Sequence, residues 1–194
     1  SGDAAVIEFL DGTLTIYRGD GMPIKALANS TYAQSLAAFE TYRKTGATPV
    51  ETAKTTGSYP GFGSLDRFVR GATLSAGEGD PVARGFDILE AVKQGMTRWS
   101  IVYDLTAGDV HFKTGTNEQP RRFTLTNFDF SCRTPVRMLD VTAPGSGVVH
   151  TAFVDYTRAA NRALLEVSLG GRSKATKDMH AAHPDLTSAC RDTD

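Results

Sequence analysis

The stretch Ser64–Arg70, with the sequence SLDRFVR, guides the interpretation of the whole chain. Its apolar side chains, with one more a turn later, recur at the spacing of a buried helical stripe: Leu65, Phe68, Val69 and Ala72. Ser64 is a residue type that caps helices, and Asp66 places a carboxylate in the first turn, where the helix dipole favours it. The pattern therefore predicts an amphipathic helix that begins at Ser64.

Arg67 is the unusual residue of this helix, because it places a cation in the first turn. The free N–H groups there already carry partial positive charge, so the position is electrostatically unfavourable for arginine. A carboxylate, a carbonyl group or an active site is expected to hold the side chain. The spacing alone allows a surface arginine paired with Asp66 or another acid, and it also allows a functional arginine.

The composition is that of an ordinary soluble globular chain. It has 194 residues, 40% of them hydrophobic and 22% charged, with a formal net charge of -1. This length suits one domain or part of a larger one, and the charge favours neither nucleic acid nor a membrane surface as a partner. No apolar run approaches the roughly 20 residues that span a bilayer.

The first half of the chain predicts a β-hairpin followed by helices. Ala5–Leu10 and Thr13–Tyr17 flank Asp11-Gly12, which is a strong hairpin signal. Met22–Leu27 predicts a third strand. Three further signals mark helix ends: a Thr31/Gln34 capping box with a stop near Gly46, an Asp80-Pro81 start, and a stop at Gly95.

The second half changes to a period of two and predicts strands, followed by a last helix. The strand segments are Trp99–Leu105, Val110–Phe112, a strand beginning at Phe123 after Asn117–Pro120, and Val136–Leu139. The helix is marked by apolar residues between Phe153 and Val167 and is expected to end before Gly170. Local hairpins favour antiparallel sheets, so the fold class predicted from the pattern is α+β.

Three stretches, taken together, resemble the choloylglycine hydrolase family, which includes bile salt hydrolases, penicillin V acylases and related linear-amide C–N hydrolases. They are Asp3–Gly12, Leu27–Tyr32, and Asp66–Arg70 with the later Trp99–Asp104. Their order and spacing fit the family over most of residues 3–140, and the Arg-Phe-Val-Arg run is the most specific element.

The resemblance implies the αββα sandwich of N-terminal-nucleophile (Ntn) hydrolases, with antiparallel sheets flanked by helices. Residues 1–171 would supply the C-terminal portion of that domain, and residues 172–194 would form a polar tail. It also implies cleavage of a linear amide by an N-terminal Cys thiol whose own α-amine acts as base. That amine has a reference pKa near ~8, close enough to neutrality for a base.

Two residues match catalytic positions of the family pattern, and no metal or cofactor is implied. Asn29 resembles the oxyanion-hole asparagine, since its amide can donate to a developing negative charge. Arg67 resembles the active-site arginine, whose charge would favour the thiolate. The residues flanking Asn29 depart from the pattern, because Ala28 and Ser30-Thr31 stand where Thr and Pro often occur.

The family's nucleophilic Cys has no counterpart in this sequence. The chain begins Ser1-Gly2-Asp3 without Met, and Ser1 aligns beside an internal strand of the pattern. We therefore expect the nucleophile on an N-terminal half outside this sequence, which makes that half a partner alongside a small-molecule amide substrate. Cys132 is expected to be a core or edge residue. A disulfide between Cys132 and Cys190 stays open.

The remaining candidates are weaker, and a second function stays open. His180, His183 and Cys190 lie in a tail-like segment too loosely spaced for a metal motif, and Arg121-Arg122 is expected to be a surface pair too small for nucleic-acid binding. The alternative function is a non-catalytic half-domain that acts as a binding or assembly partner. A homo-oligomer also stays open, as does the choice between bacterial periplasm and cytoplasm.

Overall fold

The structure is a computed structural model that describes residues 4–47, 63–131 and 133–168. The chain divides into two compact units, Ser1–Thr106 and Ala107–Asp194. The described elements of the first unit are β1 (Ala5–Leu10), β2 (Thr13–Arg18), α1 (Tyr32–Thr45), α2 (Ser64–Ser75), α3 (Pro81–Ala91) and β3 (Trp99–Asp104). Those of the second unit are β4 (Asp109–Thr114), β5 (Asn117–Thr124), β6 (Arg137–Met138), β7 (Gly147–Val148), β8 (Val154–Asp155) and α4 (Arg158–Ser168).

The hairpin β1–β2 forms where Asp11-Gly12 predicts it. Both turn residues have positive φ, 49° at Asp11 and 79° at Gly12, which is the backbone geometry of a tight two-residue hairpin turn. The strands pair antiparallel in the register Ile7↔Ile16 and Phe9↔Leu14. These two pairs share one face of the hairpin, and their side chains are exposed.

The opposite face of the hairpin carries the core of the first unit. Val6 on that face belongs to a cluster of buried side chains with Tyr32 from α1 and Phe68 from α2, and Tyr17 packs against this cluster. The Tyr32 ring centroid lies 4.8 Å from that of Tyr17 and 6.2 Å from that of Phe68. The stripe predicted for α2 is confirmed, because Phe68, Val69 and Ala72 are buried.

Helix α3 packs against β3 at one close approach. A Cβ atom placed on Gly85 would lie 2.9 Å from a methyl carbon of Val102, too near for any residue but glycine without movement of the valine. Asp80 caps α3 as predicted, accepting a 2.7 Å hydrogen bond from the backbone N–H of Ala83. The helix ends at Ala91, before the predicted stop at Gly95.

The ends of α1 also confirm their sequence signals. Thr31 and Gln34 form a capping box, with both hydrogen bonds at 3.2 Å. Gly46 ends the helix with φ of 69°, and its N–H donates to the carbonyl of Tyr42. Asparagine and glycine aside, few residues adopt this left-handed conformation without strain.

Two predictions in the first unit are wrong. Ser64 is not the cap of α2, because the N-cap is Gly63 and Ser64 is already the first helical residue. No strand forms over Met22–Leu27. Instead the Tyr32 hydroxyl donates to the carbonyl of Ile24 at 2.7 Å and accepts from its N–H at 3.3 Å, so a side chain replaces the strand ladder.

The sheet of the second unit is mixed, which corrects the prediction of a purely antiparallel one. Strand β5 pairs antiparallel with β4 and parallel with β7. The connection from β5 to β7, residues 125–146, exceeds the dozen residues that a parallel connection needs.

Strand β5 also begins at Asn117 rather than Phe123. Pro120 lies opposite the point in β4, between Phe112 and Thr114, where the register of the two strands shifts. The regular hydrogen-bond ladder is interrupted at such an irregularity, so the missing N–H group of proline is tolerated.

The last helix begins later than its apolar pattern predicts. Phe153 does not start it but packs its ring against those of Phe123 and Phe128, with centroids at 5.0 and 4.7 Å. The next two residues form β8, which pairs antiparallel with β6. Helix α4 then starts after Thr157, whose hydroxyl accepts from the backbone N–H of Ala160.

Arg121 is buried, so the prediction of an Arg121-Arg122 surface pair is wrong for its first member. The residue is 2% exposed, and its guanidinium lies 4.5 Å from the ring centroid of Phe112. It donates to the carbonyls of Val141 and Ala143 at 2.9 and 3.1 Å and to the Thr114 hydroxyl at 3.2 Å. Alternation along β5 turns the neighbouring Arg122 to the other face.

The described elements confirm the predicted α+β class, with helices and antiparallel or mixed sheets. The proposed bounds 1–171 and 172–194 stay a prediction, since residues 169–194 lie outside the described residues. None of the described helices combines the length and apolarity that a membrane crossing requires.

We predict that Arg121→Met destabilises the protein far more than Arg122→Met. The first change removes the hydrogen bonds to Val141, Ala143 and Thr114 and the contact with the Phe112 ring, and should lower the free energy of unfolding by about 2–4 kcal/mol. Arg122 is half-exposed and pairs with Asp109, so its loss should cost about 0–1 kcal/mol. Urea unfolding of the two variants checks this, and equal midpoints would contradict the structural role of Arg121.

Candidate functional site

Asn29 lies on an irregular segment between β2 and α1, and its side chain is exposed. The structure holds this segment at the start of α1. The backbone N–H of Tyr32 donates to Glu8 Oε1 at 2.7 Å, and the Tyr32 hydroxyl binds the backbone of Ile24. Asn29 is therefore exposed but lies between two anchored points.

The residue after Asn29 is tied to helix α2. The backbone N–H of Ser30 donates to Ser64 Oγ at 2.6 Å, across 34 residues of sequence. Ser64 is 0% exposed, so water does not compete for this bond. The hydrogen bond joins the segment that carries Asn29 to the first turn of the helix that carries Arg67.

Arg67 follows one turn after Ser64 and is half-buried. Its backbone N–H makes the first hydrogen bond of α2, to the carbonyl of Gly63 at 3.1 Å. Its Nε atom is buried and has no hydrogen-bond partner in the part of the chain that the structure describes. Within the same ranges, 4–47, 63–131 and 133–168, no ion pair reaches its guanidinium.

Asp66 does not hold Arg67, so the pair between these two residues that the sequence allowed is wrong. Its buried carboxylate lies 2.9 Å from the guanidinium of Arg70, one turn further on. The distance is that of an ion pair, although the Oδ2 atom does not meet hydrogen-bond geometry. Arg70 thus neutralises Asp66 and leaves the charge of Arg67 unbalanced by any described carboxylate.

Polar atoms without partners collect around this contact. Ser30 Oγ and Arg67 Nε are both buried and unpaired among the described residues. Such atoms are few in native proteins, because each costs the desolvation of a polar group. A site whose donors are reserved for a ligand or for another chain would account for them.

Burial raises the pKa of Tyr32 above its usual value, and the hydrogen bond to Ile24 offsets part of this rise. The hydroxyl therefore stays protonated throughout the neutral range and can act as a donor to the Ile24 carbonyl. The bond from the Tyr32 hydroxyl to Ile24 is thus independent of pH under physiological conditions.

The structure brings the Asn29 and Arg67 segments together, but their catalytic roles stay predictions. Sequence reasoning missed Glu8, Ser64 and the Tyr32 hydroxyl as residues that shape this region. One signal was available, since alternation in β1 places Glu8 on the inward face with Val6, where a carboxylate needs a donor. The partner of Ser64 is 34 residues away, and no local pattern specifies it.

The second unit holds a separate charged cluster around Asp109. The Thr124 hydroxyl donates to its carboxylate at 2.5 Å, Arg122 does so at 2.9 Å, and His111 Nε2 lies 4.0 Å away. The Thr124 bond, followed by the bond and charge of Arg122, holds the pKa of Asp109 below its usual value.

The described residues contain no group of three or more His, Cys, Asp or Glu that could hold a metal. Four residues considered from the sequence lie outside the described residues: Cys132, His180, His183 and Cys190.

The fold is shared with hydrolases of known structure. Penicillin V acylase from Agrobacterium tumefaciens matches with a TM-score of 0.59 and 24% identity, over 80% of this chain and 54% of the acylase. Two variants of the conjugated bile acid hydrolase from Clostridium perfringens match with a TM-score of 0.50 and 18% identity, over 80% of this chain and 51% of theirs. The resemblance inferred from three stretches of sequence is thus confirmed at the level of fold.

The chain spans about half the length of these solved structures. At such identities the likeness shows the fold alone. No protein-family model and no curated protein matches the chain.

Proposed function

We propose that the natural protein carrying this chain hydrolyses a linear amide C–N bond with an N-terminal Cys nucleophile that lies outside this sequence. The observation that carries the proposal is the Ser30–Ser64 hydrogen bond, which joins two segments resembling the family's catalytic positions. The shared fold with penicillin V acylase and bile acid hydrolase supports it. Candidate substrates are conjugated bile salts, penicillin V and N-acyl homoserine lactones.

In this proposal Asn29 donates its side-chain amide to the oxyanion of the tetrahedral intermediate. The exposed side chain sits on a segment anchored at Ile24, Ser30 and Tyr32, so its backbone is restrained while the donor stays accessible. Preorganised donors of this kind lower the barrier, because they need not reorient when the negative charge develops.

Arg67 serves as the cation that favours the thiolate form of the nucleophile. Its guanidinium is half-buried and no described carboxylate neutralises it, so its charge remains available to an incoming anion. A nearby cation lowers the pKa of a thiol and raises the fraction present as nucleophile. This role also explains why an arginine stands at an unfavourable helix start.

The partner in this proposal is the nucleophile-bearing half. An exposed apolar face on the first unit supports the existence of such a partner. The outward pairs Ile7–Ile16 and Phe9–Leu14 are exposed, with Ile7 at 65% and Phe9 at 71%. A β-sheet needs its apolar face covered by another layer. The half of the solved hydrolases that this chain does not span could supply such a layer.

The same exposed face also favours the second candidate function, a non-catalytic half-domain that acts as an assembly partner. The two functions differ in what accompanies the chain. Intact-mass measurement and N-terminal sequencing of the natural polypeptide separate them, because the enzyme requires a Cys-initiated segment in the same protein or complex.

We predict that Asn29→Ala in the natural full-length protein lowers kcat about 10²–10³-fold with little change in KM, as expected for loss of one oxyanion donor. Asn29→Asp should be at least as harmful, because a carboxylate offers no donor and repels the oxyanion. Since Asn29 is exposed, neither change should shift the melting temperature by more than a few degrees. Near-normal turnover of the aspartate variant would exclude the oxyanion role.

We predict that Arg67→Lys lowers kcat/KM by about tenfold or more, whereas Arg70→Lys leaves it within about twofold. The two arginines lie one turn apart on α2, so the pair is a matched control for helix effects. Lysine keeps the charge at both positions, and at position 70 it can still pair with Asp66. Equal kinetic constants for the two variants would remove Arg67 from the site.

We predict that residues 1–194, produced alone, bind a hydrophobic dye through the exposed face of β1–β2. Ile7→Thr combined with Ile16→Thr keeps strand-forming side chains and should reduce dye fluorescence, as should addition of the missing half. A monomeric fragment with a sharp thermal transition and no dye binding would show that the face needs no partner.

A further inference from the structure

The Ser64 side chain does not cap helix α2, although serine at the start of a helix commonly does so. Gly63 is the N-cap of α2, and the Ser64 hydroxyl accepts instead from the backbone N–H of Ser30, at 2.6 Å. The residue is 0% exposed and lies three positions before Arg67. The structure therefore uses a buried hydroxyl to bind a backbone group on a distant segment.

The orientation of this N–H is coupled to the side chain of Asn29. The peptide group between residues 29 and 30 is planar, so the direction of the Ser30 N–H is set by the ψ angle of Asn29. Fixing that N–H restrains the ψ angle of Asn29 and hence the direction of its Cα–Cβ bond, from which the side chain extends. The bond to Ser64 thereby links the base of the Asn29 side chain to the position of α2.

No strand ladder replaces this restraint. The segment that carries Asn29 forms neither helix nor strand between β2 and α1, apart from the short helical turn at Gly19–Gly21. The bonds made by Tyr32 and Glu8 anchor the segment on either side of Asn29, at Ile24 and at Tyr32 itself. Among the hydrogen bonds of the described residues, the bond to Ser64 reaches the peptide group next to Asn29.

We propose that Ser64 is a positioning residue that restrains the backbone of Asn29, and with it the base of the Asn29 side chain, relative to Arg67. The inference rests on the proposed amide hydrolysis and adds a residue to it. Ser64 does not touch substrate, and it acts by setting the ψ angle of Asn29. Because a misplacement of about 1 Å can cost about 100-fold in rate, this restraint matters to turnover rather than to substrate binding.

Ser35→Ala provides a matched control for Ser64→Ala. Both serines are 0% exposed and helical, and Ser35 Oγ has no hydrogen-bond partner among the described residues. Each substitution removes one buried oxygen, but only the change at Ser64 releases a backbone N–H. Any effect of losing buried volume alone should appear equally in both variants.

The test uses the natural full-length protein, with penicillin V, a glycine-conjugated bile salt and an N-acyl homoserine lactone as the substrates assayed. Ser64→Ala should lower kcat about 10- to 100-fold with KM within about twofold, and Ser35→Ala should leave both unchanged. Hydrogen–deuterium exchange at the Ser30 amide should accelerate about tenfold or more in Ser64→Ala and stay unchanged in Ser35→Ala. In the Asn29→Ala background, Ser64→Ala should lower kcat no further, since its effect passes through Asn29.

The outcomes separate this inference from the proposed function. If the parent protein cleaves none of the three substrates, the proposed function fails and the inference falls with it. If the parent is active and depends on Asn29, but Ser64→Ala keeps normal kcat despite faster Ser30 exchange, the positioning role alone is overturned. Additive losses in the double variant would likewise overturn it, because they would indicate a separate structural effect of Ser64.

Discussion

The first unit depends on the burial of Tyr32. Its ring lies between those of Tyr17 and Phe68 and so joins the hairpin to two helices. Its hydroxyl binds both backbone groups of Ile24, and its own N–H is bound by Glu8. One residue at the start of α1 thus supplies core packing, satisfies buried backbone groups and limits the freedom of the segment that carries Asn29. Burial raises the pKa of Tyr32 further above the neutral range, where the hydroxyl is a donor in any case.

Arginines that lie close together in the sequence have different partners and different burial in this chain. Arg121 is buried under carbonyl groups and an aromatic ring, whereas Arg122 pairs with Asp109 on the other face of the same strand. Arg70 neutralises Asp66, whereas Arg67 has no described carboxylate partner one turn earlier. In each case the position of the arginine on its helix or strand decides which groups its guanidinium meets. Charge alone does not distinguish them, and neither does residue type.

The β1–β2 hairpin presents two faces of different character. The face with Val6 and Tyr17 packs on helices, and the face with Ile7 and Phe9 stays exposed although it is apolar. In β3, Val102 contacts Gly85 of α3 while Trp99 and Tyr103, on the opposite face, are exposed. Strands with apolar residues on both faces are usual in the interior of layered folds. This pattern, with a chain that spans about half of the solved hydrolases, is the physical basis for seeking a partner layer.

The sequence by itself determined the elements whose signals are local. Asp11-Gly12 specified a hairpin, Thr31 with Gln34 and Asp80 with Pro81 specified helix starts, and the spacing of Phe68, Val69 and Ala72 specified a buried stripe. These succeed because the determining contacts lie within a few residues of one another.

Tertiary structure alone decided the features that depend on distant partners. Over Met22–Leu27, a hydrogen bond to the Tyr32 hydroxyl stands where the sequence predicted a strand. Because Phe153 packs in an aromatic cluster, the last helix begins after it, and the parallel pairing of β5 with β7 makes the sheet of the second unit mixed. The candidate site follows the same division. Asn29 and Arg67 were selected from residue type and family pattern, whereas the bond from Ser30 to Ser64 that joins their segments spans 34 residues. Such a bond depends on how two elements pack, and no pattern within either element encodes it.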